Sequence, residues 1–128
     1  MQQKLRTVGI FLIGLGVIAA VLFSVSRKIV YDANSVAIEN VDFSQIADGE
    51  YAGSYKNFVV EASVKTTVKD GKITHIEMLE HFNGWGEEAE KVIDYIIEEQ
   101  SLQVDSISGA TVSSVAIKKA VEVSLIGE

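Results

Sequence analysis

The chain has 128 residues, enough for one small domain and not for two. Residues 1–28 hold Lys4, Arg6, Arg27 and Lys28 and no acid, so residues 29–128 set seven basic residues against 18 acidic ones, a net charge of −11. A domain this acidic repels phosphate backbones, which excludes a nucleic-acid partner. The absence of cysteine excludes disulfides, thiolate-held zinc or iron–sulfur clusters, c-type haem attachment and a lipoprotein anchor. Two histidines, His75 and His81, are too few for a metal site, so any redox chemistry needs an organic cofactor.

Val8 to Val25 reads VGIFLIGLGVIAAVLFSV and contains no charge. With Thr7 and Ser26 it extends about 30 Å at ~1.5 Å per residue, the thickness of a bilayer's hydrocarbon core. Basic residues flank both ends and no polar face interrupts it, so residues 1–27 are predicted to form one transmembrane helix. The Lys/Arg count on its two sides is nearly balanced. A short basic start before an apolar run is the layout of a signal-anchor, which places residues 27–128 outside the cell membrane. Retention as an uncleaved anchor is expected; the small residues Ser24 and Ser26 leave cleavage after Ser26 open.

Residues 28–47 have no sustained period and read as a stalk, so the domain is expected to occupy residues 48–128. Asp48-Gly49 marks a turn, and Tyr51 to Tyr55 is a short strand candidate. Phe58 to Val68 is a stronger one, because Val60, Ala62, Val64, Thr66 and Val68 alternate with Val59, Glu61, Ser63, Lys65 and Thr67. Lys69-Asp70-Gly71-Lys72 is a hairpin turn with Asp-Gly at the positive-φ positions, and Ile73 to Leu79 returns as a partner with imperfect alternation. A loop follows, His81-Phe82-Asn83-Gly84-Trp85-Gly86. Glu87 to Gln100 then predicts a helix whose stripe is Ala89, Val92, Ile93, Ile96 and Ile97. Glu87, Glu88 and Glu90 suit its start, as a solvated first turn rather than a metal site. Val104 to Thr111 leads into a last helix, Val112 to about Ile126, with a stripe of Val112, Val115, Ala116, Ala120 and Val123 widened by Ile117, Val121 and Leu125. The predicted fold is α+β, a small antiparallel sheet with helices packed on one side, preceded by one transmembrane helix.

The stretch that carries chemistry is Ser108-Gly109-Ala110-Thr111-Val112-Ser113-Ser114, at the entrance to the last helix. A helix amino terminus offers unpaired N–H groups and a partial positive charge, both suited to a phosphate. Gly109 and Ala110 leave the backbone accessible. Thr111, Ser113 and Ser114 add hydroxyls that can donate to phosphate oxygens or be esterified. Small hydroxylated residues before a helix are also ordinary N-caps, and local chemistry leaves both readings open.

Asp105-Ser106-Ile107-Ser108-Gly109-Ala110-Thr111 resembles the flavinylation motif of the small FMN-binding domain family. That domain occurs in one component of the sodium-translocating NADH:quinone reductase, in one component of the Rnf complex and in many small extracytoplasmic proteins. Asp48-Gly49-Glu50-Tyr51-Ala52-Gly53 is similar to the family's opening Asp-Gly-x-Tyr-x-Gly segment. Val64-Lys65 and Val68 to Ile73 are similar to its central hairpin, and Ala116 to Leu125 to its closing helix, so the likeness covers about residues 48–126. The resemblance implies FMN joined by a phosphoester to Thr111, attached by a flavin transferase that uses FAD as donor. It also implies that Ser108, Gly109 and Ala110 present the threonine and that Asp105 matches the acid opening the motif; a cap on the helix approach, a metal contact and a transferase contact during modification are all open to that carboxylate.

Two departures bound what carries over. The chain is much shorter than the family's members in those large complexes, so their partners and ion coupling do not transfer. The loop His81–Gly86 has its own character: Trp85 or Phe82 can stack on the isoalloxazine ring and His81 can hydrogen-bond to it, or Trp85 packs on the sheet and His81 lies at the surface. The expected function is an electron carrier between a membrane donor and an external acceptor, held at the lipid surface. Its rivals are an FMN-dependent reductase of a small external acceptor and a cofactor-free envelope interaction module.

Overall fold

The computed structural model describes residues 2–57, 59–82 and 87–127. They form two compact units divided between Asp32 and Ala33.

The first unit consists of helix α1, Gln2–Asn34, up to Asp32. Its stretch Gln2–Ile29 is long and apolar enough to cross a membrane, and none of it is buried within the protein. The hydroxyls in it donate back along the helix, Thr7 to the carbonyl of Gln3, Ser24 to Ala20 and Ser26 to Leu22, at 2.8–2.9 Å. Each hydroxyl is thereby satisfied internally, as hydrocarbon surroundings demand. The helix runs unbroken through Ser24 and Ser26 and on to Asn34, so residues 28–34, expected in the stalk, are helical.

The second unit holds the sheet. Strands β1 (Gly49–Lys56), β2 (Glu61–Lys69) and β3 (Lys72–Phe82) form an antiparallel meander in that order. The two-residue turn between β2 and β3 has Asp70 at φ 53° and Gly71 at φ 74°, the left-handed pair that a tight hairpin requires. β2 starts at Glu61 because the Asn57 side chain accepts from the N–H groups of Val59 and Val60 and folds those residues into a turn. The alternation of β2 is borne out: Val60, Ala62, Val64, Thr66 and Val68 are all buried. The poor alternation of β3 has a physical source. Val68 pairs with Ile73 but Thr67 with His75, and Val64 pairs with Met78 but Ser63 with Glu80. Thr74 and Leu79 are therefore extra residues, and each bulge resets which face the following side chains occupy.

The expected helix over 87–100 divides into a 3-10 turn, Glu87–Glu90, and helix α2, Lys91–Glu99. Val92 and Ile96 are buried at its centre. Gln100 ends it at φ 49°, and its side-chain amide donates to the carbonyls of Ile97 and Ile73 while accepting from the Ile73 N–H at 2.9 Å. The amide thus stands in for a neighbouring strand at the edge of β3.

Helix α3, Thr111–Ile126, packs on β1 and β2 and also touches α2 and the 3-10 turn. The single apolar stripe expected there is an underestimate, since Ser113, Ser114, Lys118, Glu122 and Ser124 are buried as well. The reason is that the helix is covered on several sides: the Ser124 hydroxyl meets Thr66 of β2 at 2.8 Å, and Ser114 and Lys118 lie under residues 104–110. Ala37 to Glu39 is clasped to α3: Glu122 accepts from the Glu39 N–H at 2.9 Å, and the Lys119 ammonium donates to Glu122 at 2.6 Å and to the Ala37 carbonyl. Phe43 is buried in the core, with Ile38, Val41 and Ile46 packed against it. Residues 37–46 are thus part of the folded domain and not a stalk. The opposite face of the sheet is polar, with Lys65 bonded to Glu77 at 2.9 Å and Lys56 to Glu61 at 2.9 Å.

Candidate functional site at the entrance to the last helix

The segment 103–110 returns alongside α3 and delivers Thr111 to its first turn. Four hydrogen bonds fix it. The Ser114 hydroxyl donates to the Ala110 carbonyl at 2.7 Å and accepts from the Ile107 N–H at 3.0 Å. The Ala110 N–H closes a tight turn on the Ile107 carbonyl at 2.9 Å, with Gly109 at φ 80°, a conformation that only glycine adopts cheaply. The Lys118 ammonium, on a side chain almost wholly buried, donates to the Val104 carbonyl at 2.9 Å. Burial pushes the Lys118 pKa down from its ordinary value, and the attraction of Asp105 works against that.

The expected hydroxyls divide by role. Thr111 stands half-buried at the first position of α3, with Ser108 and Gly109 exposed and Ala110 and Val112 half-buried around it. Ser113 and Ser114 are buried, and the Ser114 hydroxyl is spent on the loop. Ser114 thus ties the turn that leads into Thr111. The N-cap position itself falls on Ala110, which makes no side-chain capping bond. Ala110 therefore offers the first turn no side-chain acceptor, and a helix entrance carries a partial positive charge suited to an anion. A Cβ at Gly109 would meet nothing within 4 Å, so the approach to the turn is open. Thr111 thus stands at a helix entrance with open space over the neighbouring Gly109.

Asp105 is exposed on the approach. Trp85 lies outside the described residues, as do Asn83, Gly84 and Gly86. The His81 side chain is 6% exposed, so it is not a surface residue. Its Nδ1 lies 3.5 Å from Glu90 Oε1, and its buried Nε2 has no hydrogen-bond partner among the described residues. Glu88 pairs with Lys91 at 2.6 Å. No group of three metal-binding side chains gathers among the described residues.

Lys118 and Tyr95 are the residues beside the motif that sequence reasoning passed over. Lys118 is hidden inside an apolar helix pattern. Tyr95 carries a sequence signal, an aromatic ring off the stripe of its own helix.

The domain is a small α+β unit with Thr111 on the first residue of its last helix. Residues 58–125 match the family model described as the FMN-binding domain, more than half of the 128-residue chain. The chain belongs to the FMN-binding domain family. The match begins after β1, so the Asp48–Gly53 segment lies ahead of it. No solved structure matches the chain. With the apolar helix α1, the domain fits a membrane-anchored flavin-binding protein.

Proposed function

We propose that this protein is a single-pass, extracytoplasmic electron carrier with FMN joined through a phosphoester to Thr111. The observation that carries the reading is the position of Thr111: a half-buried threonine on the first residue of a helix whose N-cap, Ala110, makes no side-chain capping bond. Attachment forms the bond between Thr111 Oγ and the phosphorus of the FMN half of FAD. The pyrophosphate bond breaks, AMP leaves, and the hydroxyl proton passes to the transferase or to water.

Bound FMN supplies the capacity to take electrons in pairs and release them singly. The chain's own part is to hold the group and shield its linkage. The first-turn N–H groups of α3 and its dipole favour the phosphate's negative charge. Ser114, Gly109 and Lys118 fix the turn that aims Thr111. A covalent link keeps the cofactor from being lost to the exterior, and α1 keeps the carrier beside a membrane donor while an external acceptor collects the electrons. The outward orientation rests on the signal-anchor layout of residues 1–27.

Intact mass after co-expression with a flavin transferase tests the linkage. The wild type should gain the mass of an FMN ester and Thr111→Ala should not. A well-folded wild type without the adduct, beside a control substrate that the same transferase does modify, would sink the proposal. Protease added to intact cells tests orientation, since it should reach the domain only if residues 35–128 lie outside.

A further inference from the structure

Helix α2 turns Val92 and Ile96 into the core and leaves Lys91, Tyr95 and Glu98 on its outer side, one row at helical spacing. Residues 101–108 run beside that row. Between them lies a groove of about 820 Å³ whose walls include Tyr95, Glu98, Asp105, Ile107 and Ser108. This volume falls within the ~300–1,000 Å³ usual for small-ligand sites. Tyr95 is 43% exposed, an aromatic residue that the core does not use.

The groove's charge narrows its occupant. Glu98, Glu99 and Asp105 line it, and the ammonium of Lys91 is already held by Glu88 at 2.6 Å. A free anion would be repelled, so the groove suits a neutral, planar group delivered on a tether. Its far wall is Ser108, in the same tight turn that presents Thr111. We propose that this groove seats the isoalloxazine ring of the FMN carried on Thr111, with Tyr95 stacked on the ring. The inference rests on the covalent reading above and adds the ring's location to it. Stacking there places the ring against an aromatic face on one side and Ile107 nearby, while the edge of the ring stays open for exchange with partners.

The test uses the full chain, flavinylated by co-expression and purified in detergent, as wild type, Tyr95→Leu, Tyr95→Phe and Trp85→Leu. Mass spectrometry measures the adduct, and flavin fluorescence and visible circular dichroism report the ring's surroundings. Tyr95→Leu should carry the adduct in full, melt like the wild type, lose visible dichroism and fluoresce more strongly. The ratio of seated to free ring should fall by about two- to tenfold, the range a stacked aromatic pair supplies. Tyr95→Phe, which keeps the ring, should resemble the wild type. Unchanged fluorescence and dichroism in a fully loaded Tyr95→Leu would overturn the seat while leaving the covalent link standing. So would a release of quenching by Trp85→Leu and not by Tyr95→Leu. A wild type without adduct overturns both.

Discussion

Replacing Gly53 with alanine puts a methyl group where α3 already lies. A Cβ built there stands 2.6 Å from Ser124 Cα, and the Ser124 nitrogen and the Ala120 carbonyl oxygen are closer still. Carbon atoms in contact settle at about 3.5–4.0 Å, so the helix must withdraw from β1 by roughly 1 Å. All three obstacles are backbone, and no side-chain rotation relieves them. Withdrawal also strains the hydrogen bond between the Thr66 and Ser124 hydroxyls, which is 2.8 Å long and buried. Overpacking a core costs about 1–3 kcal/mol and losing such a bond about 1 kcal/mol, so we expect roughly 3 kcal/mol of destabilisation in all. At about 4–8 °C per kcal/mol for a domain of this size, Tm should fall by roughly 12–24 °C. Alanine ordinarily improves on glycine within a strand, so a fall of this kind reports the clash and not backbone entropy. Thermal unfolding of the detergent-solubilised chain, followed by near-ultraviolet circular dichroism, measures it. A Tm within about 2 °C of the wild type would refute the close approach of α3 to β1.

Ser114→Ala removes the hydroxyl that ties Ile107 to Ala110, at about 1–3 kcal/mol for the groups left unpaired, and should slow flavinylation although Thr111 is intact. A time course of adduct mass checks this, and an unchanged rate refutes the presenting role of Ser114. Phe43→Ala should cost about 3–5 kcal/mol in thermal unfolding, because that side chain is core and not stalk; a neutral result would return residues 37–46 to the linker. For Lys118 the folded pKa lies below its ordinary 10.5, so the unfolded chain binds more protons between the two values. The burial cost is fully present below that window, and stability rises with pH through it. Denaturant midpoints for the wild type relative to Lys118→Met should therefore climb as pH approaches 10.5, and a flat difference would show that Lys118 is not held in a desolvated site.

Features that depend on neighbours along the chain were legible in the sequence. The period-2 run of β2 specifies a half-buried strand, Asp70-Gly71 specifies the hairpin, and the charge-free run from Val8 to Val25 specifies a helix suited to lipid. The Ser108–Thr111 run specified a hydroxyl at a helix entrance, and its resemblance to a family motif supplied the cofactor. Other features depend on segments distant in the chain and emerge only in the folded domain. The stalk expectation failed in part because Phe43 and the Ala37–Glu39 clasp find their partners across the sheet and about 80 residues later, and scattered apolar residues carry no period that announces this. The bulges at Thr74 and Leu79 arise from pairing with β2 and are invisible in β3 alone. Gly53 reads as one more glycine until α3 is laid against it. Thr111 and Ser114 offer similar hydroxyls in the sequence; only the fold of residues 107–114 shows that the Ser114 hydroxyl is spent on the turn while Thr111 stands at the first position of the helix.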